Sequence, residues 1–107
     1  MQANASMGSA DPVGMTELDF QDYLHAIKAK DFEDSKQSTA NAPLKAGAML
    51  SAGQIAQVMR AFDYESTRVE FAIFAYQRCV DPHNYYKTHG AFEYELSIDE
   101  LNDAIGQ

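Results

Sequence analysis

Cys79, His83 and His89, with Asp81 close by, are the residues of this chain whose types best suit chemistry. Thiolate and imidazole are the usual donors of a zinc site. The spacing Cys-x3-His-x5-His matches no tight structural zinc motif, however, and no obvious fourth ligand accompanies it. No metal and no cofactor are expected. As a nucleophile, Cys79 would need a base beside it. It follows Arg78 in the most apolar stretch of the chain, where a free cysteine behaves as a small hydrophobe. Carboxylates cluster at Asp31, Glu33 and Asp34 and again at Asp63 and Glu65, but such runs are ordinarily solvated turns. The calcium-loop signature is missing from these turns, and there is no Gly-rich phosphate loop. No catalytic residue is assigned.

One group resists a purely structural reading. In Asn84-Tyr85-Tyr86-Lys87, Tyr85 falls on an inward stripe, which turns Tyr86 sideways or outward. Packing under residues 15–19 or the C-terminal helix would be the structural use of Tyr86. With Arg78, His83 and Lys87 near it in the chain, Tyr86 instead makes a mixed aromatic and cationic patch, and Tyr94 is a further candidate. Tyr and Arg dominate interface hot spots. The expected function is a non-enzymatic protein-interaction module that binds an unidentified protein through Arg78, His83, Tyr86, Lys87 and Tyr94. Tyr86 would be the anchor, and Arg78 and Lys87 would recruit an acidic partner. Two other functions compete. One is a small-molecule or metal-binding domain, even a hydrolytic one, using His83 and His89 in a cleft between hairpins; such a site would respond to pH near 6–7. The other is a structural homo-oligomer built on an open repeat edge. The expected state is a monomer or weak homodimer.

The elements that position these residues are helices. Thr16 can cap the first, and Phe20, Tyr23, Leu24 and Ile27 follow at i, i+3, i+4, i+7. Ser51 and Gln54 make a capping box, after which Ile55, Val58, Met59 and Phe62 repeat the stripe. Asp81-Pro82 opens a third such helix, with Asp81 as cap and Tyr85, Thr88, His89 and Phe92 as the inward positions. Ser35, Ser66 and Ser97 are the expected caps of the partner helices, Ser97 in a capping box with Glu100. Residues 69–80 are apolar almost all round and predict a central, buried helix. Phe32, Phe62 and Phe92 are spaced by 30 residues and open similar acidic phrases, the mark of an internal repeat. The expected fold is all-α: three stacked helical hairpins with a repeat of approximately 30 residues. Residues 36–47 are Ser-, Thr- and Asn-rich and contain Pro43, which predicts a short or broken second helix.

A chain of 107 residues is one domain. Residues 15–107 are expected to form it. Residues 1–14 read as a disordered tail whose composition is also that of an expression leader; Met7 and Met15 would each serve as a native start. The tail has no basic start and no apolar core, so no signal peptide is expected. With 16 acidic against 8 basic residues and a net charge of −8, neither a nucleic-acid backbone nor an anionic membrane is an expected partner. The lone cysteine excludes an internal disulfide, and with no anchor in view a cytoplasmic location is expected.

Leu24-His25-Ala26-Ile27-Lys28, Gln54-Ile55-Ala56-Gln57-Val58-Met59, Phe71-Ala72-Ile73-Phe74-Ala75-Tyr76 and Val80-Asp81-Pro82-His83-Asn84-Tyr85-Tyr86 together resemble the domain of unknown function numbered 4476. The resemblance spans residues 16–105, and its most specific portion is the Ala-Tyr … Asp-Pro-x-Asn-Tyr-Tyr stretch. It departs over 36–47, where the family pattern has an amphipathic helix. The resemblance implies an all-helical repeat fold and a module attached to other regions. It implies no catalytic residue and no ligand.

Overall fold

α1 (Glu17–Lys28) begins at Thr16, whose Oγ1 accepts from the Asp19 amide at 3.1 Å. Its stripe of Phe20, Tyr23, Leu24 and Ile27 is buried as the spacing requires. The computed structural model describes residues 14–106. The expected tail therefore lies, apart from Gly14, outside the described residues. The fold is all-α, with five α-helices and one long 3-10 segment among the described residues.

α2 (Glu33–Lys45) corrects the expectation of a broken helix: it runs unbroken for 13 residues. Pro43 sits in its last turn, so only one intrahelical donor is lost just before the chain leaves the helix. Ala40 and Leu44 are fully buried, and Tyr23 Oη donates to the Ala40 carbonyl at 2.7 Å. Tertiary packing on α1 overrides the weak propensity of the Ser-, Thr- and Asn-rich stretch. Gly47, at φ +110°, then turns the chain away.

α3 (Ala52–Arg60) starts with the expected capping box: Gln54 N donates to Ser51 Oγ at 3.1 Å and Ser51 N to Gln54 Oε1 at 2.9 Å. α4 (Glu65–Tyr76) is the central helix, packed against α2, α3, the 3-10 segment and the last helix, with Phe71, Ala72 and Ala75 fully buried. The last helix, α5 (Glu95–Ile105), lies against α4 and ends at Gly106 in the left-handed conformation. α1 packs on α2 and α3 on α4, but the third pair departs from a simple hairpin. There the 3-10 segment packs chiefly on α3, and α5 on α4.

The 3-10 segment (Pro82–Ala91) replaces the expected α-helix. Pro82 does occupy its first position, but Asp81 does not cap it. Asp81 Oδ1 accepts from the Ala52 amide at 2.8 Å, capping α3 from outside, and Oδ2 takes the Asn84 side chain at 2.9 Å. The buried residues are Tyr85, Thr88 and Ala91, three apart as 3.0 residues per turn demands. His89 and Phe92, inward on an α-helical period, are only half-buried.

The expected serine caps are also corrected. α2, α4 and α5 start at Glu33, Glu65 and Glu95, with Phe32, Tyr64 and Tyr94 at the N-cap positions, three, two and three residues before the expected serines. No side chain of these aromatics makes a cap hydrogen bond; at α4 and α5 a glutamate from the start of another helix, α2 and α4 respectively, does it instead. Glu33 accepts from the amides of Asp63 and Tyr64 at 3.0–3.1 Å. Glu65 accepts from the amides of Glu93 at 2.9 Å and Tyr94 at 3.2 Å, and from Ser97 Oγ at 2.7 Å. A base three residues after each glutamate completes a clasp: Lys36 reaches Asp63 at 3.3 Å and the Ala61 carbonyl, and Arg68 reaches Glu93 at 3.1 Å and the Phe62 carbonyl.

These roles give a different register from the phenylalanine phrase. Glu33, Glu65 and Glu95 are the equivalent positions, at intervals of 32 and then 30 residues (33 to 65 to 95). Phe62 is buried and Phe92 half-buried, whereas Phe32 is 74% exposed and corresponds to Tyr64 and Tyr94. No described helix is long and apolar enough to cross a membrane.

Candidate functional site

A 3-10 segment stacks every third residue on one ridge, about 6 Å apart at 2.0 Å rise per residue. The segment has three ridges. Tyr85, Thr88 and Ala91 face the core, Asn84, Lys87 and Gly90 form a second ridge, and His83, Tyr86 and His89 form the third. The third ridge borders a cleft of about 220 Å³ against the C-terminal half of α5, lined also by Pro82, Tyr85, Asn102 and Ile105.

The back of this cleft is rigid. Tyr85 Oη donates to the Ala72 carbonyl of α4, and burial raises its pKa above the usual phenol range. Its ring meets Tyr76 edge to face, with centroids 4.9 Å apart. Thr88 Oγ1, fully buried, donates to the Tyr85 carbonyl at 2.8 Å. Against this support Tyr86 stands 61% exposed, and its hydroxyl has no hydrogen-bond partner among the described residues.

The structure thus brings His83, Tyr86 and His89 together, and places the other sequence candidates elsewhere. Lys87 is exposed on the neighbouring ridge. Arg78 is half-buried in the turn after α4, where its carbonyl accepts from Leu50 N at 3.0 Å, and it does not line the cleft. Tyr94 stands at the N-cap position of α5, whereas Asn102 and Ile105 belong to the end of that helix, roughly 12 Å along its axis. Asn102 and Ile105 are not among the sequence candidates; the sequence offered the C-terminal helix only as one of two neighbours for Tyr86 and showed nothing of which of its residues would face the Pro82–Ala91 segment.

The cleft carries two imidazoles, two tyrosine rings, an amide and the apolar side chains of Pro82 and Ile105, with no carboxylate among its lining residues. Such a surface can stack and hydrogen-bond. Among the described residues no group of three His, Cys, Asp or Glu side chains is arranged to hold a metal ion. Cys79 is buried beside Leu50, and burial pushes its thiol up to about 11, with its Sγ on Asp81 Oδ1 at 3.4 Å. At neutral pH it is a thiol, not a thiolate. Asp81 is the opposite case. Burial works against its ionisation, but bonds from the Asn84 side chain, the Ala52 amide and Cys79 hold its carboxyl below the usual range.

The family model of a domain of unknown function, DUF4476, matches residues 14–105. The chain belongs to this family. No curated protein and no solved structure matches it with significance. Within the DUF4476 stretch from Ala75 to Tyr86, most residues have internal work. Ala75 is in the core, Tyr76 supports Tyr85, Asp81 caps α3 and holds Asn84, and Tyr85 is bonded to α4. Tyr86 is the aromatic of that stretch left facing solvent.

Proposed function

We propose that this DUF4476 domain is a non-enzymatic protein-interaction module whose docking surface is the His83–Tyr86–His89 ridge and its cleft. The observation that carries the reading is Tyr86, an exposed aromatic on a braced ridge that lines a depression of mixed polar and apolar walls. Aromatics so placed are the usual anchors of protein interfaces. The volume favours a protein over a metabolite, since about 220 Å³ holds one large side chain but falls below the 300–1,000 Å³ typical of small-molecule sites. Lys87 on the adjacent ridge suits a partner segment that carries a carboxylate beside its inserted side chain.

The test is capture of partners from lysate of the native source on wild-type chain and on Tyr86→Ala, with circular dichroism confirming that both are folded. Loss of a true anchor costs about 2 kcal/mol or more, roughly 30-fold in affinity. A partner retained equally by Tyr86→Ala and by His83→Ala would remove the docking surface from this ridge.

A further inference from the structure

The two clasps are one contact made twice. Each joins a glutamate at a helix's first position and a base at its fourth to the acidic and aromatic residues that open the next helix. The row α2, α4, α5 has two ends. At the far end Glu95 repeats the glutamate, but Ile98 stands where Lys36 and Arg68 supply the base. At the near end, Asp31 and Phe32 correspond to Asp63–Tyr64 and Glu93–Tyr94. Both are exposed, and their amides have no acceptor among the described residues.

The adjoining face of α2 is also open. On α4, the sixth residue, Glu70, marks the face turned back to α2, since it accepts from the Gln37 side chain at 3.0 Å. The sixth residue of α2 is Ser38. It lies in a shallow depression of about 490 Å³ with Asp34, Asn41 and Lys45 among its lining residues. Asn41 Oδ1 is buried and unpaired among the described residues. A buried acceptor of that kind is destabilising until a donor arrives.

We propose that the Asp31–Phe32 turn and this face of α2 dock a helix of a partner protein that opens with Glu and carries Arg or Lys three residues later. The docked helix would stand to α2 as α2 stands to α4. Its glutamate would take the Asp31 and Phe32 amides, and its base would pair with the Asp31 carboxylate. Residues 1–13 contain no Glu, Lys or Arg and cannot complete the clasp. A second copy offering α5 brings Glu95 against Asp31 with Ile98 between them, a like-charge meeting without a cation. The inference is independent of the His83–Tyr86–His89 surface.

The test is titration of the ¹⁵N-labelled chain with an N-acetylated, alanine-based helical peptide opening Tyr-Glu-Ser-Thr-Arg, the order of residues 64–68. Saturable shifts are expected at the Asp31 and Phe32 amides, unchanged by Tyr86→Ala. Binding should weaken about tenfold or more when Gln replaces Glu and Arg in the peptide. Absence of shifts at those amides, or equal affinity of the Gln peptide, overturns the proposal. Ile98→Arg supplies a second readout: restoring the base should produce concentration-dependent oligomers in sedimentation that Asp31→Lys abolishes. A folded Ile98→Arg chain that stays monomeric counts against the proposal. Self-association of the wild type through Asp31–Phe32 would give the face to a second copy and refute the choice of partner.

Discussion

Glu65 is the carboxylate whose removal should be felt most. It accepts from the Glu93 and Tyr94 amides, from Ser97 Oγ and from Arg68 Nη1, so one side chain fixes the start of α5 to the start of α4. Glu33, its counterpart, takes only two amides, and its basic partner Lys36 pairs with a largely exposed Asp63. A hydrogen bond to a charged group contributes about 1.5–3 kcal/mol net, and the outermost amides regain water when the acceptor is lost. Glu65→Ala should therefore destabilise by roughly 3 kcal/mol, and Glu33→Ala by about 1 kcal/mol. The first should lower Tm by upward of about 10 °C for a domain of this size. Burial alone would raise the Glu65 pKa above its ordinary 4.5, but bonds from Ser97, the Glu93 and Tyr94 amides and Arg68 bring it below that value. A depressed folded value means the contribution is fully present above pH 4.5 and is lost as pH falls through the folded value. Urea unfolding from pH 6 down to pH 3 should show the gap between wild type and Glu65→Gln closing on the acid side. A gap constant with pH, or Glu65→Ala no worse than Glu33→Ala, would refute the account of the clasp.

Asp81→Ala should destabilise by about 1–2 kcal/mol through loss of an external cap on α3, and hydrogen exchange of the Ala52 amide should quicken; an unchanged Ala52 amide would place the effect elsewhere. Cys79, with its thiol pushed up to about 11, should resist a disulfide reagent at pH 8 in the native chain and react fully in denaturant. Rapid native labelling would contradict its burial. Gly47→Ala should cost about 1 kcal/mol by thermal melt, all of it backbone strain, because φ is +110° and nothing lies within contact of an added Cβ. A neutral result would mean the turn relaxes.

What the sequence made legible was whatever one period and one local cap determine. Thr16, Ser51 with Gln54, and the stripes through Phe20 and Ile55 all stand in the structure as their spacing implied, because each depends on neighbours within a single turn. What it hid was capping at a distance. Ser35, Ser66 and Ser97 look like caps, but the amides at the starts of α4 and α5 are claimed from 28–31 residues away by Glu33 and Glu65, and Ser97 itself donates to Glu65. The phenylalanine period misled for the same reason: Phe32 matches Phe62 by letter, but the clasp aligns it with Tyr64. α2 was underrated because Ala40 and Leu44 bring tertiary burial that no propensity sum contains. At the candidate site His83 and Tyr86 were legible as residues but not as a ridge, and Arg78 and Tyr94 were grouped with them only by nearness in the chain.

The ridge exists because the Pro82–Ala91 segment resolves a conflict in its own pattern. On an α-helical period Tyr85, Thr88, His89 and Phe92 face inward together, which would bury an imidazole with no carboxylate or carbonyl assigned to it. An unsatisfied buried polar group costs about 1–3 kcal/mol. A 3-10 period sends Tyr85, Thr88 and Ala91 inward, and the two polar members of that set are both satisfied, one on the Ala72 carbonyl and the other on the Tyr85 carbonyl. His89 is released to the ridge of His83 and Tyr86. A 3-10 run this long has poorer hydrogen-bond geometry than an α-helix. Its extensive packing on α3, with Asp81 spent on the α3 terminus, supplies the compensating tertiary contact. The departure from helical period and the exposure of Tyr86 between two histidines therefore have one cause, and it is at such departures from local rule that functional surfaces are expected.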